Sequence, residues 1–272
     1  MKKTEFPLVT VIIPTRNEEK YIEGVVETES GPNAPFEYYK SQAIICRTYA
    51  LGHFDRHIKE EFNLCDGVHC QAYKGRSMAN DSIPLAVHET SGLVIVDTSL
   101  NPITAAFHSN SGGHTINSED VWSKETSYLK AIIDTFAVGQ NNYLWKDSIS
   151  VKEWKKYLDT IGFEISEDSF TNHALNFEQK KRKIYFYLEK DSIALKKIRQ
   201  DFGLRSTFFS FKPKDKYIII NGKGYGHGVG LCQEGAMEMA RKGYSFKEII
   251  NFYYTGVMLF DVGEMELIYL DN

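Results

Sequence analysis

The sequence predicts an α+β protein: a mixed helix and antiparallel-sheet core interrupted by a smaller inserted α+β domain. Three observations carry this expectation. Apolar residues recur at spacings of three and four from Phe36 onward, short β-branched runs with turn signals fill Gln71–Ala106, and a Lys-rich block of alternating helix and strand patterns begins near Trp145. The composition shift puts the core at residues 1–135 and 215–272, with the inserted subdomain at 136–214.

The elements follow in order. Leu8–Ile13 reads as a buried strand. Glu18–Thr28 starts a short helix that turns Tyr21, Ile22, Val25 and Val26 inward, and "SGPNAP" (Ser30–Pro35) breaks it, because proline and glycine forbid its continuation. From Phe36 to about Phe62 the positions Phe36, Tyr39, Ala43, Cys46, Ala50 and Phe54 mark one long amphipathic helix, with Arg47 to one side of its apolar stripe. "GLVIVDT" and "PITAAF" read as antiparallel strands, and "HSNSGGHT" (His108–Thr115) is too small and polar to be anything but a loop. In the insertion, Ser150 and Glu153 form a capping box for a helix that buries Trp154 and Leu158. "KIYFYLEK" is a strand, "IALKKIRQDFG" a helix ending at Gly203, and "STFFSF" another strand. Tyr217–Ile220 returns to strand, followed by a glycine-rich loop and two helices, the second capped by Ser245 and Glu248 and ended by Gly256.

The bulk numbers exclude several classes of protein. With 272 residues, 42% hydrophobic and 25% charged, the chain has the composition of an ordinary globular protein. A net charge of −4 argues against a dedicated nucleic-acid binder. No apolar run approaches the roughly 18–20 residues that span a bilayer, and the opening "MKKTEFPLVTVIIP" has the wrong pattern for a signal peptide.

Two loops carry small residues that let a backbone approach a ligand, "HSNSGGHT" and "GYGHGVGLCQ". They offer Ser109, Ser111, His114, His227 and Gln233 to line a cleft. "GKGYGHGVG" lacks the Gly-x4-Gly-Lys-Ser/Thr spacing of a phosphate loop, and no Gly-x-Ser-x-Gly elbow supports a Ser–His hydrolase. Cys46 and Cys232 lie in apolar sequence and read as small buried hydrophobes. Cys65, His69 and Cys70 share one polar turn, "CDGVHC", whose thiolates and imidazole suit zinc, with His57 or His53 as a fourth ligand. A disulfide or a pair of buried thiols are the rival readings.

The stretch "VTVIIPTRNEEKYI" is similar to the opening of an inverting nucleotide-sugar glycosyltransferase. The rest of that pattern is missing: Asp97 in "VIVDTS" has no carboxylate two residues away, and the helix bearing Arg47 occupies the place of a second nucleotide-binding strand. A second resemblance covers far more of the chain. "YIEGVVETES", "YYKSQAIICRTYAL", "CDGVHCQAYKG", "AAFHSNSGGHTINSEDVW", "SYLKAIID" and "GKGYGHGVGLCQEGAMEMARKGYSFKEIINFYYTG" follow one another as in the stage II sporulation protein D family. That family resemblance runs from about Tyr21 to Gly256 and is weakest across 135–215.

The resemblance implies a peptidoglycan lytic transglycosylase, or the related non-catalytic amidase enhancer that binds the wall and stimulates a partner amidase. It implies glycan strands stripped of stem peptides as substrate, cleavage between N-acetylmuramic acid and N-acetylglucosamine, and a role in septal wall remodelling and engulfment beside other septal proteins. The implied location is extracytoplasmic, at the septal or forespore membrane facing the intermembrane space. Family members of this kind usually carry an N-terminal membrane anchor, which this chain does not show. The family's acid falls three residues after "GVV", at Glu29, with Glu27 as its competitor. Chemistry supports a carboxyl group there: the leaving oxygen must be protonated, and apolar neighbours such as Val25 and Val26 raise the proton affinity of an acid. Arg47 in "RTYAL" is expected to contact substrate or to act on Glu29 indirectly, since direct pairing would lower the acid's pKa. Tyr128 and Lys130 in "SYLK" match a further family element and are expected to contact glycan. Some family members bind zinc at the "CDGVHC" position; the chemistry itself requires no cofactor, so zinc here is expected to be structural.

Overall fold

The computed structural model describes residues 18–67, 69–75, 80–122, 124–163, 166 and 170–262, and the strand expected at Leu8–Ile13 lies outside them. The architecture is α+β, as the sequence predicts, and the chain divides into two compact units, Met1–Ala106 with Ala236–Asn272, and Phe107–Gly235.

In the first unit, α1 (Glu18–Ser30) and α2 (Phe36–Gly52) are joined by the predicted break. Gly31 takes a positive φ of 70°, which ends α1, and its N–H donates to Glu27 O at 2.9 Å. The Tyr39 hydroxyl then clamps the turn, donating to Gly31 O at 2.8 Å and accepting from Ala34 N at 2.9 Å. α2 is the hub of this unit, touching α1, α3 (Ser82–Glu89), β1 (Leu93–Val96) and the late helix α8 (Phe246–Tyr253). It is therefore buried on nearly every face, rather than amphipathic as its stripe suggests. Its buried polar groups are satisfied internally: Ser41 Oγ donates to Glu37 O at 3.0 Å, and Thr48 Oγ1 donates to Ile44 O at 2.7 Å while accepting from Ile95 N at 2.9 Å.

Three expectations need correction here. α2 stops at Gly52 instead of running to Phe62, and the chain folds back through a short 3₁₀ turn, Ile58–Glu60. Asn63 fixes that turn, its Nδ2 donating to Phe54 O at 2.9 Å and its O accepting from His57 N at 3.3 Å. The Gln71–Ala106 stretch contains a helix, α3, with Pro84 in its first turn, where the missing N–H costs nothing. β1 pairs antiparallel with β9 (Met258–Asp261), while Pro102 makes only an isolated bridge to Val96.

The second unit opens with the short strand β2 (Phe107–His108), which lies parallel to β8 (Leu231–Cys232). After the one-turn helix α4 (Glu119–Trp122) comes β3 (Leu144–Ser150), which joins β6 (Phe209–Lys214) and β7 (Tyr217–Lys223) in a three-stranded antiparallel sheet ordered β3-β7-β6. Ser150 caps α5 (Val151–Thr160), accepting from Glu153 N at 3.1 Å, and β4 (Tyr185–Leu188) and β5 (Asp191–Ala194) form a hairpin ahead of α6 (Leu195–Asp201). Gly222 in β7 is covered by the Trp145 indole, which leaves no room for a Cβ. One apolar core, running from Trp145 to Ile220, unites these elements. The unit closes at the start of α7 (Gln233–Arg241), beyond the 136 and 214 boundaries drawn from composition.

Trp154 sits at the centre of that core, 1% exposed, with its ring against Tyr157, Phe186, Phe202 and Phe211 and its Nε1 donating to Ala174 O at 2.8 Å. Trp154→Ala is expected to cost about 3–5 kcal/mol in urea unfolding of the second unit. A loss below about 1 kcal/mol would contradict this packing.

Candidate active site

Glu29 lies in the last turn of α1, half-buried. Its Oε1 accepts from the backbone N–H of Ala72 at 3.0 Å. Burial raises its pKa above the ordinary carboxylate range, and the Ala72 N–H partly offsets that rise. Val25 and Val26, fully buried one turn earlier, supply the apolar surroundings expected of an acid. Glu27, the competing carboxylate, is half-buried two residues earlier, and its charge adds a minor rise to the pKa of Tyr39 beside the main effect of burial.

The segment that reaches Glu29 is laid along α1 by further contacts. Lys74 N donates to Thr28 Oγ1 at 3.2 Å, and the Tyr73 ring stacks on Tyr21 at 5.3 Å. Tyr73 also covers Gly24, where a Cβ would overlap its ring. A glycine inside a helix costs about 1 kcal/mol against alanine, so "IEGVV" carried a sign of close approach that the sequence reading did not use. Beneath this segment, Gln71 Nε2 donates to Cys46 O at 3.2 Å, Gln42 Nε2 contacts Cys46 Sγ at 3.5 Å, and Tyr38 donates to Gln42 Oε1 at 3.2 Å. Gln42, Gln71 and Tyr73 were missed because each acts on a residue distant in sequence. Cys46 is fully buried, as expected, and burial pushes its thiol pKa upward.

Arg47 is 2% exposed, and its Nη1 donates to Thr90 O at 2.8 Å and Leu93 O at 2.9 Å. The guanidinium ties α2 to the end of α3 and the start of β1. So little exposure leaves it no surface to offer a sugar, and what it can do for Glu29 is indirect, through the position of α2.

Immediately before Gln71, the ligand atoms of His57, Cys65, His69 and Cys70 all lie within 4.8 Å of one another. Cys65 Sγ and Cys70 Sγ are each 3.9 Å from His69 Nδ1. His57 Nδ1 faces Glu60 Oε2 at 2.8 Å, which fixes the ring and directs its buried Nε2, without a hydrogen-bond partner, as a lone-pair donor. That orphaned nitrogen, together with two thiols and a second imidazole, fits a tetrahedral zinc ion. His69 Nε2 lies 3.2 Å from Arg56 Nη2, so ligation through Nδ1 would protonate Nε2 and release Arg56 to its other partner, the Tyr49 hydroxyl at 2.6 Å. His53 stands apart from the cluster, stacked on Tyr49 at 4.1 Å with Nδ1 on Tyr49 O at 2.9 Å.

The other expected site residues fall in the second unit. Ser111 is fully buried and donates to Asp134 Oδ2 at 2.8 Å, and its O accepts from Arg182 Nη2 at 2.6 Å. His114 turns Nδ1 toward its neighbour Thr115 O at 2.6 Å, and its O accepts from Arg182 Nε at 2.8 Å. These contacts make Ser111 and the backbone of His114 part of the scaffold of this loop. Ser109 Oγ accepts from Asn142 Nδ2 at 3.2 Å, and Gln233 opens α7 beside Glu234, whose N–H donates to Ser109 O at 3.1 Å. Glu234 itself receives Asn110 Nδ2 at 2.6 Å and Asn142 Nδ2 at 2.7 Å, a loop-organising role the sequence reading missed. Tyr128 is half-buried in the loop before Lys130, whose Nζ pairs with Glu125 at 2.6 Å and Glu119 at 3.3 Å. His227 packs against Trp122 at 5.3 Å; burial and the charges of Arg199 and Arg182 push its pKa down to about 4, so it is neutral at physiological pH. Among the described residues no helix is long and apolar enough to cross a membrane.

Comparison with known proteins agrees with the resemblance. A model described as stage II sporulation protein matches residues 10–96, a span that includes Glu29 and the Cys65–Cys70 turn. The chain is 31% identical over 256 residues to an uncharacterized protein of Brachyspira hyodysenteriae, covering 92% of this chain and 68% of that one. It is 28% identical over 263 residues to stage II sporulation protein D of Bacillus amyloliquefaciens, covering 91% and 74%. It is also 28% identical over 290 residues to the amidase enhancer of Bacillus subtilis, covering 88% of this chain and 40% of that protein. With its motifs in order along nearly the whole chain, the protein belongs to the stage II sporulation protein D family.

Proposed function

We propose that this protein is a lytic transglycosylase that cuts peptidoglycan glycan strands between N-acetylmuramic acid and N-acetylglucosamine, with Glu29 as its acid and base. The observation that carries the reading is a carboxyl group whose pKa burial raises and whose orientation one backbone N–H fixes. With Oε1 held by Ala72 N–H, Oε2 is the oxygen that carries the proton when Glu29 is protonated. Glu29 gives that proton to the bridging oxygen as the C1–O bond breaks and positive charge develops at the sugar carbon. The carboxylate so formed takes the proton from the sugar's own 6-hydroxyl as O6 bonds to C1. The products are a free hydroxyl end and a 1,6-anhydro end; Glu29 is again protonated, and no water is consumed.

Zinc belongs to the same proposal in a structural role. His57, Cys65, His69 and Cys70 would hold it, and when bound it supplies a cross-link that fixes the turn. Cys70 leads directly into Gln71 and Ala72, so fixing the turn also fixes the N–H that orients Glu29. The setting we infer is wall remodelling at the sporulation septum, outside the cytoplasm, on strands that a partner amidase has stripped of peptides. The similarity to an amidase enhancer favours one alternative, a wall-binding module that stimulates such an amidase without cutting glycan.

Product analysis separates the two. Incubated with peptide-free glycan strands, the protein is expected to release fragments about 18 Da lighter than hydrolytic ones, and Glu29→Gln to release none while still binding. Binding without cleavage by either form would favour the enhancer; cleavage by both would remove Glu29 from its role. A second expectation concerns pH. Because the folded-state pKa of Glu29 is raised, its contribution to stability is fully present below the unfolded value of about 4.3 and is lost as pH rises through the folded value. Glu29→Gln should therefore be more stable than the parent at neutral pH, with the difference vanishing in acid; equal thermal midpoints at neutral pH would contradict the burial argument. For the metal, purified protein is expected to carry about one zinc per chain, and chelation or Cys70→Ser to lower its thermal midpoint by several degrees. Metal-free protein that melts identically with and without added zinc would exclude the site.

A further inference from the structure

The second unit contains a cavity of about 320 Å³ that the glycosidic chemistry at Glu29 does not use. That volume is at the lower end of the roughly 300–1,000 Å³ range of ligand pockets, the size for one small molecule rather than an extended strand. It is built between α4, the β4–β5 hairpin and α6, with His227 and Ile116 completing its wall.

The wall chemistry is specific. Trp122 and Tyr185, 39% and 41% exposed, present aromatic faces of the kind that stack on sugar rings. Lys196 and Arg199, at i and i+3 on α6, line the cavity together with the buried Leu195, and Lys183 joins them from just before β4. Lys196 is committed, its Nζ donating to Val121 O at 2.8 Å, and Lys183 Nζ lies over the Phe177 ring. Arg199 is not fully committed. Its Nε donates to Leu204 O at 3.2 Å, and among the described residues neither terminal Nη has a protein acceptor. A half-buried guanidinium with both terminal nitrogens available is a fork for a carboxylate. Of the two acids of α4, Glu119 is paired with Lys130, whereas Asp120 accepts from Asn117 Nδ2 at 3.2 Å and keeps its charge, one carboxylate against the three cations Lys183, Lys196 and Arg199 in the cavity wall. Their remaining lone pairs suit hydroxyl or amide N–H donors. His227 is neutral and its Nδ1 accepts from Val229 N at 3.0 Å, so it contributes a ring wall and no charge.

We propose that this cavity is a binding site for a single carboxylate-bearing sugar, its ring against Trp122 and Tyr185 and its carboxylate on the Arg199 fork. On the glycan-cleaving reading, on which this source of ligand rests, the carboxylate is the lactyl group that a muramic acid residue exposes once its peptide is removed. The site would then distinguish stripped from peptide-bearing strands by the charge that amide formation abolishes.

The test uses the full chain and tryptophan fluorescence, because Trp122 is exposed whereas Trp145 and Trp154 are buried. N-acetylmuramic acid is expected to quench Trp122, N-acetylglucosamine, which lacks the carboxylate, to bind at least about tenfold more weakly, and Arg199→Gln to lose a similar factor. Arg199→Lys should recover only part of that loss, since a point charge replaces a fork. Trp122→Ala, read by calorimetry, provides a surface variant with little risk to folding and should also weaken binding. Glu29→Gln should bind as the parent does, so that failure of the catalytic proposal and failure of this one are distinguishable. Equal binding of the two sugars, or no effect of Arg199→Gln in a protein of unchanged thermal midpoint, would overturn the assignment. Tighter binding of muramoyl dipeptide than of N-acetylmuramic acid would overturn it as well, transferring the site to a peptide carboxylate.

Discussion

The first unit depends on how the segment Gln71–Gly75 is laid against helix α1. Ala72 donates its N–H to Glu29, Lys74 donates its N–H to Thr28, and Tyr73 fills the space that Gly24 leaves open. None of these contacts is strong alone; a single hydrogen bond contributes about 0.5–1.5 kcal/mol net. Together they hold a half-buried carboxyl group in one orientation while burial keeps its proton affinity high. A salt bridge would orient Glu29 as well but would lower its pKa, defeating an acid. A backbone N–H orients it at smaller electrostatic cost, consistent with desolvation being the larger of the two influences on this group.

The cluster of His57, Cys65, His69 and Cys70 extends the same logic. A turn rich in cysteine and histidine has no apolar core of its own, so its conformation needs another source of order. Glu60 directs His57, and Asn63 fastens the loop behind it. Cys70 then hands the chain to the segment that meets Glu29. On the proposed reading, an ion held there would support Glu29 at one remove, through the segment that carries Ala72.

Much of this was legible in the sequence where local rules operate. α1, its Gly31 stop, and the Ser150 and Ser245 caps all follow from short-range chemistry, and the structure places them where the residues ask. Cys65, His69 and Cys70 stand together in the sequence, and the fold brings His57 to the same cluster. What resisted reading was long-range. The partner of β1 lies at the far end of the chain, in β9. The apolar stripe of α2 looks amphipathic until α1, α3, β1 and α8 all close on it, and Arg47 looks like a surface group until the carbonyls of Thr90 and Leu93 receive it. The loops "HSNSGGHT" and "GYGHGVGLCQ" are small and polar, a pattern that suggests a ligand-facing surface, whereas Ser111 spends its hydroxyl on Asp134 and its carbonyl on Arg182. "IALKKIRQDFG" reads as a helix ending at Gly203, and only the fold shows that its Lys196 and Arg199 stand beside Trp122 and Tyr185.

The measurement that tests the central claim most directly is a carbon-13 titration of the Glu29 side-chain carboxyl in the intact protein, with the Ala72 amide followed in parallel. The account predicts a midpoint above the ordinary value of about 4.3, with the Ala72 amide resonance shifting through the same midpoint as the group it contacts loses its proton. A midpoint at or below the ordinary value, or an Ala72 amide indifferent to it, would contradict the claim that this carboxyl is held as an acid.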